Sequence, residues 1–188
     1  MKKLLSLTLA LLLCLCALLP ACAEEAAPAE EAARPEVNKP ITLEAYQQAY
    51  DTLITTILPG CTVAWSSAPI ESGEAWLAVV NDSFVSVMVL PKDGVISEVA
   101  VLMQADMSED SLMTFLSMAG YAGAALLCDE EVTPEQACDA FVAELYTVFS
   151  AVINGTHPEN IYGLPGAINI TAAAEGVFQY YFILKLAE

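Results

Sequence analysis

The stretch from Thr133 to Asn154 reads TPEQACDAFVAELYTVFSAVIN and carries the clearest helix pattern of the chain. Thr133 and Gln136 have the spacing of a capping box, and Pro134 takes the first helical position, where a missing N–H costs nothing. Apolar residues recur at steps of three and four, so they share one stripe. The stripe consists of Cys138, Phe141, Leu145, Val148 and Val152. A sheet or other helices must cover it, because packing rather than propensity stabilises most helices.

The middle of the chain changes from a helical period to a period of two. Four runs rich in Val, Trp, Ile and Phe predict a meander of strands at residues 61–68, 74–80, 83–90 and 95–103. Asp93-Gly94 is the clearest hairpin turn, since both residue types tolerate positive φ. The third and fourth strands are apolar on both faces apart from Ser86, Ser97 and Glu98. We therefore expect these strands to be central, or to be covered on both faces.

Two more helices are predicted, one on each side of this meander. The first is capped by Thr42 and runs to about residue 58, and the second opens at Ser108 and carries no charge over residues 112–128. That uncharged run reaches the lower limit for a membrane span. Gly120 and the small residues around it, a polar side and the capped helix that follows favour a core helix packed closely against a neighbour.

The last segment predicts a hairpin, with strands at residues 167–172 and 176–186. The order of elements is one helix, four strands, two helices and two strands. Short connections in this order indicate an α+β fold, in which a mostly antiparallel sheet of about six strands has the helices packed on one face.

Residues 1–23 have two lysines, a Leu-rich run and a small-residue end, which is the order of a secretory signal peptide. Ala21-Cys22-Ala23 is an A-x-A site, so we expect cleavage after Ala23 and a secreted or cell-surface protein. The alternative is a bacterial lipoprotein, because Leu19-Pro20-Ala21-Cys22 resembles a lipobox that would acylate Cys22.

Residues 24–39 mix Ala, Glu and Pro with few large apolar residues, so we expect a disordered acidic linker. Residues 40–188 are then one α+β domain of ordinary size, with a single core. No transmembrane helix is expected in the processed chain.

The charge of the chain excludes some partners. Asp and Glu number 24 against 6 Lys and Arg, which gives a formal net charge of −18. A phosphate backbone and an anionic lipid surface would both be repelled. Nucleic acid is therefore not an expected partner.

The best catalytic candidates are Cys61 and His157, the latter being the only histidine. A cysteine nucleophile needs a base within hydrogen-bond reach, so this pair would suit a small hydrolase-type enzyme. The alternative interpretation is that His157 is an exposed loop residue and Cys61 a small residue at the start of a strand. No local sequence signature supports the pair.

Two other cysteines, Cys128 and Cys138, flank the connection between the last two helices. A disulfide across this helical hairpin is geometrically conceivable. The alternative is that both are small buried apolar residues.

No cofactor or metal site is predicted. Acidic clusters at residues 106–110 and 129–131 lack the ligand spacing of a calcium loop and suit solvated helix ends. Five aromatic residues can form either a core or a binding surface: Trp65, Trp76, Tyr162, Tyr180 and Tyr181. The sequence therefore predicts an exported bacterial domain, most simply a non-catalytic binding module for a protein, peptide or glycan outside the cytoplasm.

Overall fold

The computed structural model describes residues 34–37, 39–71, 73–81 and 85–186. Its helices are α1 (Leu43–Ile57), α2 (Glu109–Ala124) and α3 (Pro134–Ile153). Each begins after the predicted cap, whose side-chain oxygen accepts a backbone N–H: Thr42, Ser108 and Thr133. Both bonds of the predicted capping box on α3 are present, at 3.0 and 3.3 Å. These predicted helix starts are confirmed.

Seven strands follow one another through an antiparallel sheet in the order β1-β2-β3-β4-β7-β6-β5. Their bounds are β1 (Val63–Ile70), β2 (Gly73–Val80), β3 (Ser86–Lys92), β4 (Val95–Ala105), β5 (Asn160–Ile161), β6 (Leu164–Ala174) and β7 (Val177–Lys185). The final hairpin joins the meander because β7 pairs with β4. The predicted α+β fold with a mostly antiparallel sheet is confirmed.

The expected count of about six strands was wrong by one. The extra strand, β5, is two residues long and pairs with the start of β6 across the turn Tyr162-Gly163. Both turn residues have positive φ, at 54° and 74°. A tyrosine is rare at such a position, and two residues give no alternation, so the sequence pattern indicated only a loop.

The three helices cover one face of the sheet, which we call the inner face. Phe115 of α2 lies 5.4 Å from the ring of Tyr180 on β7. Phe141 of α3 lies 6.4 Å from the ring of Phe182, two residues further along the same strand. On β1, the Trp65 ring contacts two tyrosines of α1. The prediction that the helices pack on one face is therefore confirmed.

Close contact between α2 and α3 depends on two glycines. A Cβ built on Gly123 would lie 2.0 Å from the Phe141 ring, and one on Gly120 would lie 2.7 Å from Val142. The predicted close approach is thus made to the following helix. It lets Phe141 reach through to the sheet.

The compact body begins at Arg34, six residues before the predicted domain boundary. The guanidinium of Arg34 lies 3.7 Å from the centroid of the Tyr162 ring and 3.5 Å from the Glu144 carboxylate. The Tyr162 hydroxyl donates to the Pro35 carbonyl at 2.8 Å. The end of the predicted linker therefore lies against the body, whereas the predicted signal peptide and residues 24–33 lie outside the described residues.

One helix among the described residues, α3, is long and apolar enough to cross a membrane, judged by length and composition alone. Core helices of soluble proteins satisfy the same criterion. In α3, Phe141 and Leu145 are buried in the core of the domain.

Candidate functional site

The sheet has a second face, opposite the helices, which we call the outer face. Residues paired across neighbouring strands share a face, so the register defines its rows. The central row crosses six strands: exposed Ser66 on β1 is followed by Leu77, Met88, Ala100, Ile183 and Ala167. Among the described residues, no helix lies on this row.

Two further rows flank the central one on the outer face. One consists of Ala64, Val79, Ser86, Leu102, Tyr181 and Asn169. The other consists of Leu90, Glu98 and Lys185. Their large apolar side chains are all half-buried rather than covered. The three rows together form a continuous apolar patch with polar groups at its margins.

A sheet face that meets only water normally carries polar side chains. The outer face instead presents six large aliphatic or thioether side chains, which are Leu77, Val79, Met88, Leu90, Leu102 and Ile183. An apolar centre with a polar rim is the arrangement found at protein interaction sites.

Charge is sparse on the outer face although the chain is strongly acidic. Within the three rows the charged side chains are Glu98 and Lys185, which are paired directly across β4 and β7. Burial raises the pKa of the Glu98 carboxyl, and the charge of Lys185 opposes that rise. Among the described residues the ion pair within 4.0 Å joins Arg34 to Glu144, so the two outer-face charges do not form a close pair with each other.

A shallow groove of about 490 Å³ lies between the helices, on the opposite side of the molecule. Its walls include Ile57, Tyr121, Cys138 and Val142, and the acids Glu135 and Asp139 stand at its edge. Burial raises the pKa of the Cys138 thiol to about 12, so the thiol stays protonated at neutral pH. The groove therefore offers apolar contacts and two carboxylates, but no activated nucleophile.

The structure does not bring Cys61 and His157 together. Cys61 precedes β1 and His157 precedes β5, and these strands are the two opposite edges of the sheet. Six strand spacings of about 4.8 Å separate the edges by roughly 29 Å. The half-buried Cys61 thiol accepts the Asn81 side-chain amide at 3.0 Å, and His157 is exposed.

Cys128 lies in the connection between α2 and α3, and Cys138 lies in the second turn of α3. The Cys128 thiol donates to the Ala124 carbonyl, with a sulfur–oxygen distance of 3.6 Å. Burial raises the pKa of the Cys128 thiol to about 11. A disulfide between them stays a prediction, which mass spectrometry of the unreduced protein checks.

The two acidic clusters have local structural partners. The Asp106 carboxylate accepts the hydroxyls of Ser108 and Ser111, each at 2.6 Å, at the start of α2. The Asp129 carboxylate accepts the N–H groups of Glu131 and Val132, each at 2.8 Å. In the part of the chain that the structure describes, no three acidic, Cys or His side chains gather in a metal-binding arrangement.

Four of the five aromatic residues singled out from the sequence are directed to the inner face or to the helices. Tyr162 stacks on Phe141, for example, and only Tyr181 lies in the outer-face rows. The sequence did not show which aliphatic residues line up in those rows. The signal for them was the apolar character of β3 and β4 on both faces.

No protein-family model, no curated protein sequence and no solved structure is significantly similar to this chain. Its function must therefore be inferred from its own residues.

Proposed function

We propose that this chain is an exported, non-catalytic interaction module that binds a protein or peptide through the outer face. The observation that carries the proposal is the row formed by Leu77, Met88, Ala100, Ile183 and Ala167, on which no described helix lies. Covering apolar surface releases about 25 cal/mol per Å², so an occupant is favoured wherever its shape fits.

The chemistry of the outer face favours a protein surface over a glycan. Sugars are held by aromatic platforms and by many directed hydrogen bonds, whereas the three rows hold one aromatic residue, Tyr181, and few hydrogen-bonding side chains. Aliphatic side chains such as Leu102 and Ile183 suit the apolar side chains of a polypeptide.

Export is part of the same proposal, since the N-terminal pattern is that of a signal peptide. Mass spectrometry of the exported protein distinguishes the two processing routes. A free N-terminus at Glu24 is expected, and an acylated Cys22 would instead indicate a lipid-anchored envelope subunit.

Site-specific photo-crosslinking in the exported compartment tests where the module binds. A photoreactive side chain replaces Met88 or Ile183 on the outer face, or Thr147 or Ser150 on the exposed side of α3 as matched controls. A discrete crosslinked product is expected from the outer-face positions alone. Equal products from both sets, or none from the outer face, would overturn the proposal.

A further inference from the structure

We propose that the occupant of the outer face is a second copy of this chain, so that two sheets stack face to face into a symmetric dimer. This inference rests on the proposed function and names the partner. Three properties of the outer face support it: its charge, its two-fold complementarity and its size.

The outer face differs in charge from the rest of the chain. Two copies with a net charge of −18 each repel one another over most of their surfaces. The outer face carries one acid, Glu98, and one base, Lys185, so it is neutral. It is therefore a surface on which two such acidic molecules can approach, while a basic partner would be drawn to the acidic surfaces elsewhere.

Two-fold symmetry turns the neutral pair into two intermolecular pairs. The two-fold axis lies in the plane between the two sheets, parallel to the strands and midway between β4 and β7. Rotation about it places β4 of one copy over β7 of the other. Each row then lies over the same row of the second copy, so Glu98 of each copy faces Lys185 of the other. Because these side chains form no ion pair with any residue that the structure describes, both are available for the contact.

The same axis matches large side chains with small ones in the central row. Ala100 faces Ile183 of the second copy, and Met88 faces Ala167. Alternation of large and small residues lets two layers interdigitate, as the inner faces of a β-sandwich do. Ala100 is 0% exposed, so the contact at the centre of the row would be made by its larger neighbours, Met88 and Ile183.

The patch is large enough for a weak, specific interface. Five strands at about 4.8 Å and three rows at roughly 6.8 Å span about 500 Å² on each copy, so a dimer would bury roughly 1,000 Å² in total. That area is in the range of weak, transient interfaces, and we expect a dissociation constant near the micromolar range.

Reversing the charge of Glu98 and the charge of Lys185 in separate variants tests whether these side chains face each other across the dimer interface. Sedimentation equilibrium is measured on the processed, exported chain and on the variants Glu98→Lys and Lys185→Glu. A dimer is expected for the parent, and like charges facing twice across the axis should weaken it by about tenfold or more in either variant.

Mixing the two variants is the decisive experiment. The outer face of Glu98→Lys then carries two basic side chains, and the outer face of Lys185→Glu carries two acidic ones, so opposite charges meet in the mixed dimer. The mixture should form a heterodimer at least as tight as the parent dimer, a result that misfolded variants cannot give. The double variant Glu98→Lys with Lys185→Glu should likewise recover parental affinity.

A monomeric parent at about 100 µM, well above the expected dissociation constant, would overturn this inference. A parental dimer that is insensitive to both reversals would place the interface elsewhere and also overturn it. If the parent is monomeric while the outer-face positions still crosslink to another polypeptide, self-association fails but the proposed function stands. If those crosslinks are absent too, both fail.

Discussion

Tyr46 and Tyr50 lie one turn apart on α1, and we expect opposite effects from removing their hydroxyls. Both side chains are 0% exposed. The Tyr46 hydroxyl donates to the carbonyl of Ala122 at 2.8 Å. The Tyr50 hydroxyl is buried without a hydrogen-bond partner among the described residues.

The Tyr46 bond satisfies a carbonyl at the C-terminal end of α2. The N–H of Leu126 donates to Gly123 at 3.0 Å rather than to Ala122. Tyr46→Phe therefore leaves a buried carbonyl without its donor, and we expect the free energy of unfolding to fall by about 1–3 kcal/mol. Tyr50→Phe removes only an unsatisfied polar atom, so it should leave stability unchanged or raise it by up to about 2 kcal/mol.

Urea unfolding followed by circular dichroism, at one fixed protein concentration, measures both variants. In thermal unfolding the loss for Tyr46→Phe corresponds to about 2–4 °C for each kcal/mol in a domain of this size. Each substitution keeps the ring and its stacking, so the pair isolates the hydroxyl. Destabilisation by Tyr50→Phe equal to that by Tyr46→Phe would refute the reasoning, because it would show that the Tyr50 hydroxyl has a partner.

Three further predictions concern packing and pH. Gly123→Ala should cost about 3 kcal/mol or more in urea unfolding, since its Cβ would overlap the Phe141 ring. Burial raises the pKa of Tyr46 and of Tyr50 above the usual 10.0, so the unfolded chain ionises first and stability should fall as pH rises past about 10; Tyr50→Phe should make that fall shallower. Hydrogen bonds from two serine hydroxyls lower the pKa of Asp106 in the folded protein. Its carboxylate should therefore stabilise the fold above about pH 4, and this stabilisation should be lost as the pH falls through the pKa of the folded state. Asp106→Asn should make the free energy of unfolding depend less on pH in acid.

The helices were predictable because their signals are local. Thr133 and Gln136 mark the start of α3 within its own sequence, and Gly155, which has a positive φ of 81°, follows its end. The Asp93-Gly94 hairpin is equally local, and both residues adopt the positive φ that its turn requires. Caps and turns depend on neighbouring residues alone, which is why the sequence specifies them.

The order of strands in the sheet was not predictable in the same way. Which strand pairs with β4 is decided by contacts between residues about eighty positions apart, such as Val101 with Phe182. The strand β5 was missed because Tyr162 adopts a positive φ that its residue type seldom shows. Its ring is held between Phe141 and Arg34, a tertiary contact that overrides the local preference.

The outer face was only partly visible in the sequence. On β7, Ile183 shares its face with Gln179, Tyr181 and Lys185, so the alternation of that strand alone suggests a polar face. The strand register shows that Ile183 lies in one row with Ala100 and Met88, so it belongs to an apolar patch. Which residues form a row depends on how the strands pair, so the sequence of one strand cannot show it.

The most direct test of the binding surface is the rate at which a maleimide labels a cysteine placed at Met88, measured above the background of the parent protein. Labelling in the exported compartment is compared with labelling of the dilute purified protein, and Thr147→Cys on α3 serves as the control. The model predicts that Met88→Cys is labelled much more slowly in its own compartment than at high dilution, while Thr147→Cys is labelled equally in both. Equal rates for Met88→Cys in the two conditions would show that nothing covers the outer face and would contradict the proposed function.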